Sequence, residues 1–382
     1  MRITFDAAPL VSGKLTGIGR CEKEQTAALA AMFREDRCEY SFFTSGKDDR
    51  MEHMRKLAGK NIKLNPSSFS GYIYRAASAA VPVPYSYFFG RRSDITHFFN
   101  YIVPAGVYGR KVVTVHDMVC KAFPETVRTR TRLMLAAGLE KSMQRADIIV
   151  TDSEFSRREI DKYYPEYSEK VRVVYCGTDT NIFRPISSPE TIGAVKQYLG
   201  ISGSYFLYIG TVEPRKNLLR LVRAYRLFLE NHSGDVPKLV LAGAKGWLCG
   251  DIYEEVSRPE LEGKVILTGY VPDSHMPYLM NGAEAFLFPS LYEGFGLPPL
   301  EAMACGVPVL TSAEASLPEV VGDCAVICDA YSSVNIAEGM SRIYSDRELR
   351  KRLSRDGVRR AALFSWESSA EKLHRIYSEL LR

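Results

Sequence analysis

Residues 289–309 read PSLYEGFGLPPLEAMACGVPV, and this stretch decides the fold of the second half of the chain. The apolar run just before it, residues 286–288, is typical of a strand buried on both faces. Gly294 and Gly296 predict a loop whose backbone can approach a ligand closely, because no side chain intervenes. Prolines directly after Leu297 suit the first turn of a helix, where missing N–H groups do no harm. A strand, a glycine-containing loop and a helix in this order predict a unit of a parallel sheet with an anion site at the loop.

Two glutamates bracket the same loop, with seven residues between them. Glu293 precedes the loop, and Glu301 lies about one turn into the predicted helix. The spacing predicts that both carboxylates converge on the ligand, where they accept hydrogen bonds from vicinal hydroxyls such as those of a sugar and a ribose. The candidate binding residues of the loop itself are Gly294, Phe295, Gly296 and Leu297.

Short apolar runs alternate with helix-like segments along all 382 residues, which predicts βα units. This length suits two domains of about 150–200 residues each. A second series of strands starts after residues 183–189 (FRPISSP), which interrupt all periodicity. We therefore expect an α/β fold of two Rossmann-like, doubly wound parallel-sheet domains, with ligands bound at the cleft between them. The predicted domains are residues 1–186 and 187–364, followed by a final amphipathic helix over residues 365–382.

The pattern also predicts individual elements. In the first half, strands are expected at residues 3–6, 39–43, 95–98, 111–115, 148–151 and 171–175. In the second half they are expected at residues 205–209, 238–241, 265–267, 285–288, 307–310 and 325–327. Among the predicted helices are residues 19–33, 217–230 and 297–304.

The composition limits where such a protein works. Apolar residues make up 46% and charged residues 25% of the chain, the balance of a soluble globular protein. No apolar run approaches the roughly 18 residues of a membrane span, and residues 1–6 predict a strand instead of a signal peptide. Eight cysteines without CxxC spacing favour reduced thiols over a zinc site. We expect a cytoplasmic protein without a structural metal, and a net charge of +5 is too small to predict binding to nucleic acid.

Two adjacent cations lie where the first strand of the second domain passes into a helix. Gly210 follows that strand, and residues 213–217 read EPRKN. Beside a helix start, Arg215 can bind a diphosphate through both prongs of its guanidinium, and Lys216 through a compact charge. The pair therefore predicts part of a diphosphate site.

Two shorter motifs belong to the first domain. After the first predicted strand the sequence reads TGIGR, in which Gly17 and Gly19 can present N–H groups to an anion or a sugar. Glu22 takes the last glycine position of a GxGxxG motif, which argues against a dinucleotide site. His116 and Asp117 follow an apolar strand and are expected at the edge of the cleft.

Together these motifs resemble the signature of the family 4 glycosyltransferases, retaining enzymes of the GT-B fold that use nucleotide-diphosphate sugars. The Glu-x7-Glu stretch carries most of the resemblance. The other matching segments cover nearly the whole chain in the expected order: residues 16–20 (TGIGR), 115–117 (VHD), 152–156 (DSEFS), 177–179 (GTD) and 210–217 (GTVEPRKN). The resemblance implies that the first domain faces the acceptor, that the second binds the donor, and that the last helix, after Trp366, crosses back onto the first domain.

The resemblance also implies roles for the candidate residues. Arg215 and Lys216 bind the pyrophosphate of the donor, and His116 lies near the transferred sugar and the leaving phosphate. Asp117 either orients His116 or binds the acceptor. The loop that contains Gly17 and Gly19 lies near the donor phosphate and the acceptor. For the nucleoside, the main chain of Tyr270 and Val271 is expected to contact the base edge.

The expected reaction transfers a sugar to a hydroxyl with retention at the anomeric carbon. We expect a same-face substitution in which the departing phosphate takes the acceptor proton, while Glu293 holds donor hydroxyls and Glu301 holds the ribose. The rival mechanism makes Glu293 a covalent nucleophile. No Asp-x-Asp pair occurs in the sequence, so the cations are expected to replace a metal ion. Neither a metal nor a cofactor is predicted.

The donor is predicted only by similarity at the level of a subfamily. Residues 211–217 and 291–299 are similar to bacterial polysaccharide mannosyltransferases that use GDP-mannose. This predicts transfer of mannose to a glycan or a lipid-linked oligosaccharide in the biosynthesis of a cell-surface polysaccharide such as lipopolysaccharide. A UDP-sugar or dTDP-rhamnose remains open as donor. A sugar-nucleotide 2-epimerase of the same fold, which turns over the donor without an acceptor, also remains open.

One stretch is unusually basic. Between His53 and Ser93 the sequence contains seven cations and no acidic residue, and aromatic residues are interleaved with its latter part. Cations beside aromatic rings suit an anionic membrane surface. We therefore expect peripheral contact with the inner face of the cytoplasmic membrane. In the alternative, the tyrosines pack inside the first domain or line a groove for the acceptor.

Overall fold

The computed structural model describes residues 1–11 and 15–382, which divide into two units by their internal packing. Unit 1 comprises Met1–Ala122, Thr129–Gly177 and Trp366–Arg382, and unit 2 comprises Phe123–Arg128 and Thr178–Ser365. Within the described ranges, none of the helices combines the length and the apolar character that crossing a bilayer requires.

Each unit is built on one parallel sheet. The strands of unit 1 are β1 (Arg2–Asp6), β2 (Arg37–Phe43), β3 (Ile62–Ser67), β4 (Ile95–Phe98), β5 (Arg110–Thr114), β6 (Ile148–Thr151) and β7 (Val171–Val173). Those of unit 2 are β8 (Tyr205–Ile209), β9 (Lys238–Ala242), β10 (Val265–Gly269), β11 (Ala285–Phe288), β12 (Val309–Ser312) and β13 (Ala325–Cys328). For the described residues the sheet orders are β3-β2-β1-β4-β5-β6-β7 and β10-β9-β8-β11-β12-β13. Both follow the order of the Rossmann fold, so the predicted fold class is confirmed.

Helices connect most of the strands. In the first half of the chain they are α1 (Gly17–Met32), α2 (Asp48–Ala58), α3 (Gly71–Ala80), α4 (Ser86–Phe89), α5 (Val119–Ala122), α6 (Thr129–Arg145) and α7 (Glu154–Tyr163). In the second half they are α8 (Pro189–Tyr198), α9 (Leu218–Asn231), α10 (Gly250–Val256), α11 (Met276–Asn281), α12 (Leu297–Ala304), α13 (Leu317–Val321), α14 (Ser333–Ser345), α15 (Arg347–Ala361) and α16 (Trp366–Leu380).

The last helix packs in unit 1. Leu373 and Tyr377 of α16 are fully buried in the same hydrophobic cluster as residues of β1, β2 and α1. Gln25 of α1 donates through Nε2 to Ser369 Oγ at 2.6 Å, and the Tyr377 hydroxyl lies 2.5 Å from His97 Nδ1. Apolar burial and buried hydrogen bonds thus hold the C-terminal helix against the N-terminal sheet.

The basic and aromatic stretch, residues 53–93, divides between core and surface. Tyr74 and Tyr85 are each 4% exposed and pack in a cluster with Phe43. Tyr72 and Tyr87 are instead 63% and 82% exposed. Some tyrosines therefore pack inside unit 1, as in the alternative interpretation, while others lie on the surface.

The boundary predicted at residue 186 lies earlier in the chain, at Gly177. The Thr178 amide donates to the Phe364 carbonyl at 3.0 Å, and the Ile186 amide donates to Asn281 Oδ1 at 2.7 Å. These bonds place residues 178–186 in unit 2, so unit 1 ends its second segment at Gly177 and not at residue 186. The predicted break at residues 183–189 leads directly into α8, which begins with a proline as helices often do.

A short segment from the middle of the first half also belongs to unit 2. The Phe123 and Tyr292 rings lie 5.5 Å apart between centroids. Trp247 Nε1 donates to the Thr126 carbonyl at 2.7 Å, and the Arg128 guanidinium lies 4.5 Å from the centroid of the Trp247 ring. Aromatic packing, a hydrogen bond and a cation–π contact thus attach Phe123–Arg128 to unit 2.

Candidate active site

Charged residues gather at the carboxyl edge of the unit 2 sheet. Arg215 and Lys216 follow β8, and Glu293 follows β11, its neighbour in the sheet. The carboxyl ends of parallel strands meet at one edge, which is where ligands bind in this kind of fold. The structure therefore brings together three residues that the sequence analysis predicted to share a site.

Ion pairs connect these residues directly. Arg215 Nη1 donates to Glu293 Oε2 at 3.0 Å, and Lys216 Nζ donates to Glu293 Oε1 at 2.7 Å. Arg215 Nη2 also donates to Glu213 Oε1 at 2.9 Å, and Nη1 donates to the Tyr292 carbonyl at 2.6 Å. Each carboxylate oxygen of Glu293 thus accepts a hydrogen bond from a different cation.

Burial makes this cluster electrostatically strong. The side chain of Glu293 is 9% exposed and that of Lys216 is 12% exposed. Burial alone would raise the pKa of Glu293, but Arg215 and Lys216 outweigh it and hold the pKa below its ordinary value. Burial lowers the pKa of Lys216, against the attraction of Glu293. The carboxylates of Glu213 and Glu293 therefore balance the positive charges of Arg215 and Lys216 within the buried cluster.

The glycine loop is held from the neighbouring strand–helix connection. The Ser316 hydroxyl donates to the carbonyl of Glu293 at 2.9 Å and to that of Phe295 at 2.7 Å. Gly296 has a φ of +114°, a conformation that favours glycine, and α12 begins directly after it. Pro298 and Pro299 have no N–H, so the amides beside this helix start come from Leu297 and the loop before it.

Three residues that shape the site were not predicted. Glu213 pairs with Arg215, and Ser316 holds the glycine loop. Asn217, with a φ of +63°, donates through Nδ2 to the carbonyls of Pro289 at 2.9 Å and Ala330 at 2.7 Å. Asparagine tolerates this left-handed conformation better than most residues. An asparagine directly after the cation pair was therefore the one sequence signal for a special backbone conformation at this point.

The other predicted residues of unit 2 lie on the same sheet edge or next to it. Glu301 is 5% exposed and lies in α12, one turn after the glycine loop. Gly210 follows β8, and a Cβ at Gly243 would overlap its carbonyl oxygen, so the two backbones are in close contact. Tyr270 and Val271 follow β10; the Tyr270 side chain is 52% exposed and that of Val271 is buried.

His116 lies in unit 1, where both of its ring nitrogens are bonded. Nδ1 lies 2.6 Å from Asp152 Oδ2, and Nε2 lies 2.7 Å from the Phe99 carbonyl. Burial alone would lower the pKa of His116, but the Asp152 carboxylate outweighs it and raises the pKa to about 10. Asp117 instead accepts from the Tyr101 hydroxyl at 3.2 Å. In this structure Asp152, and not Asp117, orients His116.

The predicted glycine turn of unit 1 is part of a helix. α1 begins at Gly17, two residues earlier than predicted, and the Thr16 hydroxyl caps it by accepting from the Gly19 amide. A Cβ at Gly19 would lie 3.0 Å from the Pro9 carbonyl oxygen. Gly19 therefore allows the first turn of α1 to pack against the chain that follows β1.

One group of residues in unit 1 has the chemistry of metal ligands. Among the described residues, ligand atoms of Cys21, His116 and Asp152 all lie within 4.8 Å of one another. A metal ion there would have to replace the hydrogen bonds that already occupy His116. Metal-independent chemistry stays a prediction.

Comparisons with known proteins agree with this architecture. The family models described as Glycosyltransferase Family 4 and Glycosyl transferases group 1 match residues 24–182 and 200–360. The O-antigen chain mannosyltransferase B of Escherichia coli is 36% identical over 289 residues, which are 75% of this chain and 74% of that protein. The serotype-specific mannosyltransferase WbdA of Escherichia coli is 29% identical over 63% of this chain and 29% of its own length.

A solved structure of Anabaena HepE in complex with UDP and glucose has the same fold. It matches with a TM-score of 0.73 at 17% identity and covers 99% of each chain. Two parallel sheets of Rossmann order, the motifs at their carboxyl edges and an O-antigen mannosyltransferase relative lead to one conclusion. The chain belongs to family 4 of the glycosyltransferases and has the GT-B fold.

Proposed function

We propose that this glycosyltransferase moves mannose from GDP-mannose to a hydroxyl of a glycan or a lipid-linked oligosaccharide, with retention and without a metal ion. The observation that carries the proposal is the buried contact of Arg215 and Lys216 with Glu293 at the sheet edge. Cations beside a glycine loop suit a nucleotide diphosphate. The choice of mannose rests on the names of the two Escherichia coli relatives.

The leaving group explains why cations matter. As the bond between the anomeric carbon and the phosphate oxygen breaks, both bonding electrons stay with the diphosphate. Arg215 and Lys216 stabilise the charge that develops, which preorganised groups do most effectively in a buried site. The phosphate oxygen then accepts the proton of the acceptor hydroxyl while the new bond forms on the same face of the sugar.

Glu293 is proposed to hold the donor sugar and not to attack it. Its two oxygens are 3.0 Å from Arg215 Nη1 and 2.7 Å from Lys216 Nζ. A carboxylate neutralised on both oxygens is a poor nucleophile but still a good acceptor for hydroxyl groups. A glycosyl adduct on the Glu293 peptide, after incubation with a 2-fluoro analogue of GDP-mannose and no acceptor, contradicts this role.

The site residues of unit 2 and those of unit 1 are proposed to have different roles. Glu301 accepts from the ribose, Tyr270 and Val271 contact the base, and Gly210 with residues 294–297 provides backbone contacts to the donor. In unit 1, His116 and Asp117 act near the transferred sugar, and the helix start at Gly17 and Gly19 lies near the phosphate. The enzyme is expected to stay active in excess chelator. Loss of turnover on addition of chelator contradicts metal independence.

The cell compartment follows from the same chemistry. We propose a cytoplasmic enzyme, because nucleotide sugars are its substrates, with peripheral contact to an anionic membrane through the exposed part of residues 53–93. Tyr72 and Tyr87 are the exposed rings there. Co-sedimentation with vesicles should rise with their anionic lipid content. Equal binding to neutral vesicles excludes this contact.

The donor is tested with a panel of nucleotide sugars. GDP-mannose is expected to raise the melting temperature of the full chain more than GDP-glucose, UDP-glucose or dTDP-rhamnose, because a ligand that binds only the folded state stabilises it. Product analysis with a mannose-terminated acceptor then gives the linkage. If only a different donor stabilises the chain, the sugar of that donor replaces mannose in the proposal. Turnover of the donor without an acceptor indicates an epimerase instead of a transferase.

A further inference from the structure

Unit 1 contains a cavity that the donor chemistry does not use. Its volume is about 300 Å³, at the lower end of the range for pockets that bind small molecules. Asp6 at the carboxyl end of β1 contributes to its wall, together with residues of α3 and α6. We call it the unit 1 cavity; its walls come from unit 1 alone.

The wall of the unit 1 cavity is largely apolar. Phe43, Tyr74, Phe98, Ile102 and Met134 are among the residues that line it. On α6 the lining positions Met134, Ala137, Lys141 and Arg145 lie three or four residues apart and Gly138 adjoins Ala137, so they form one face of the helix. A glycan is usually held by many polar side chains, whereas this surface suits a hydrocarbon.

Cations outnumber acids at the same cavity. Arg75, Lys141 and Arg145 line it with one carboxylate, Asp6. That carboxylate already accepts from the Tyr85 hydroxyl at 2.9 Å, and burial raises its pKa to about 6. Arg145 donates through Nη1 to the Val103 carbonyl at 2.9 Å, which fixes its position at the wall. The excess of positive charge complements an anionic group on the ligand.

Exposed apolar side chains lie on α3 and α6, the two helices that line the unit 1 cavity. Tyr72 and Ile73 of α3 are 63% and 55% exposed, and Leu133 of α6 is 63% exposed. The Arg130 guanidinium lies 5.3 Å from the centroid of the Tyr72 ring and so connects the two helices. Exposed apolar residues gathered beside a cavity mark a place where a partner binds.

We propose that the unit 1 cavity binds the hydrocarbon chain of an anionic, lipid-linked acceptor, with the phosphate of that lipid at Arg75, Lys141 and Arg145. The apolar wall takes the part of the chain next to the phosphate, and the cations take the charge. This inference rests on the proposed function because it assigns the acceptor class of the same reaction. It adds a lipid site that is separate from contact with a membrane surface.

The first test measures binding of farnesyl phosphate to the full chain by calorimetry. Farnesol, which lacks the charge, and inorganic phosphate, which lacks the chain, are the comparison ligands. Farnesyl phosphate is expected to bind at least about tenfold more tightly than either, which corresponds to about 1.4 kcal/mol. Equal binding of farnesyl phosphate and inorganic phosphate, or no binding of farnesyl phosphate, overturns the proposal.

Two neighbouring alanines of α6 provide a matched pair of variants. Ala137 lines the cavity and Ala136 does not, and both are exposed on the helix. Ala137→Trp is expected to weaken the binding of farnesyl phosphate at least about tenfold by filling the cavity, while Ala136→Trp stays within about twofold of the original chain. Equal effects of the two variants contradict the proposal. A second outcome also contradicts it: farnesyl phosphate does not bind, and Ala137→Trp abolishes the binding of a soluble mannose disaccharide. The cavity would then bind a sugar and not a lipid.

Charge and catalysis are tested separately. Lys141→Gln should weaken farnesyl phosphate about three- to tenfold and leave farnesol unchanged, whereas Lys162→Gln, a change of an exposed lysine of α7 outside the cavity, should alter neither. In transfer assays, KM is expected to be lower for a mannose acceptor on farnesyl diphosphate than for the same sugar on a methyl group. Equal KM values overturn the lipid site but leave the proposed function intact. Binding of farnesyl phosphate without any sugar transfer instead contradicts the proposed function.

Discussion

At the scale of single residues, the two cations of the site differ in how firmly they are held. Arg215 contacts Glu213, Glu293 and the Tyr292 carbonyl, so its guanidinium is fixed in place. Lys216 reaches the same carboxylate with a smaller group that has three N–H donors. We infer that Arg215 mainly positions Glu293 and the loop, while Lys216 can turn toward a phosphate without breaking several bonds.

The first prediction follows from this difference. Lys216→Ala is expected to lower kcat/KM for sugar transfer about 10²- to 10³-fold, because the proposed function places this buried positive charge beside the leaving group. Steady-state kinetics with saturating acceptor measure it. Lys351→Gln, which removes an exposed lysine paired with Glu348, is the control and should change kcat/KM less than twofold, a roughly neutral surface effect. Equal loss in both variants contradicts the assignment.

The second prediction concerns the ion pair of His116 and Asp152. The pKa of His116 is about 10 in the folded chain against an ordinary value of 6.5, so its stabilising contribution is complete below about pH 6.5 and is lost as the pH rises through 10. Asp152→Asn should therefore lower the free energy of unfolding by about 3–5 kcal/mol at pH 6 and by less at pH 10. Denaturant unfolding at both pH values measures this. Asp235→Asn, a change of an exposed carboxylate, should have little effect at either, and a loss that grows with pH refutes the ion pair.

The sequence predicted the charged centre of the site but not its supports. Arg215, Lys216 and Glu293 stand out because charge and glycine spacing are local patterns. Ser316 bonds to Glu293 from 23 positions away, and Asn217 bonds to Ala330 from 113 positions away. Contacts over such separations exist only once the sheet has formed, so the local sequence could suggest a left-handed backbone at Asn217 but not the bonds that Asn217 and Ser316 make.

At the scale of elements, the start of α12 is the most constrained point. Gly296 has a φ of +114°, and a Cβ there would lie 3.0 Å from Leu317 Cδ2. Gly296→Ala is therefore expected to cost about 1–3 kcal/mol of stability and to reduce activity, as measured by thermal unfolding and transfer assays. Gly193→Ala in α8 is the matched control, because a Cβ there meets nothing within 4 Å. It should stabilise the chain by about 0.5–1 kcal/mol; equal effects of the two substitutions argue against strain at the loop.

Most strands and helices were predictable because their periodicity is strong. β4, β6, β8, β11 and α12 have the predicted bounds. β12 starts two residues later than predicted, because the Val307 amide bonds back to the Ala302 carbonyl of α12 and is not available to the sheet. β3 was missed, since its sequence IKLNPS contains Pro66 and a lysine; this strand lies at the sheet edge, where proline is tolerated.

At the scale of the whole molecule, the last helix sets the stability of unit 1. Leu373 of α16 is fully buried there, and Leu353 of α15 is buried in unit 2. Leu373→Ala should cost about 2–5 kcal/mol and increase hydrogen exchange in β1 and β4. Leu353→Ala should cost a similar amount but increase exchange in the strands of unit 2. The same exchange pattern for both variants contradicts the assignment of α16 to unit 1.

The two-domain architecture could be predicted from the alternation of strands and helices. The points at which the chain passes from one unit to the other could not. Two domains with an α/β fold follow from the order of strands and helices. The positions where the chain changes unit depend on single hydrogen bonds such as Thr178 to Phe364. The attachment of Phe123–Arg128 to Trp247 and Tyr292 depends on ring contacts that have no signature in the sequence.

The path of Phe123–Arg128 restricts how this enzyme can exchange parts with its relatives. Phe123–Arg128 belongs to unit 2 although unit 1 precedes and follows it in the sequence, and α16 belongs to unit 1 although it follows unit 2. Neither unit is therefore encoded as one continuous block. A recombination event at Gly177 would import a foreign partner for Trp247 and would leave the old C-terminal helix on a new N-terminal sheet. Hybrids that take unit 1 from one parent and unit 2 from another should therefore be assembled from five joined pieces, with Phe123–Arg128 retained from the parent that supplies unit 2.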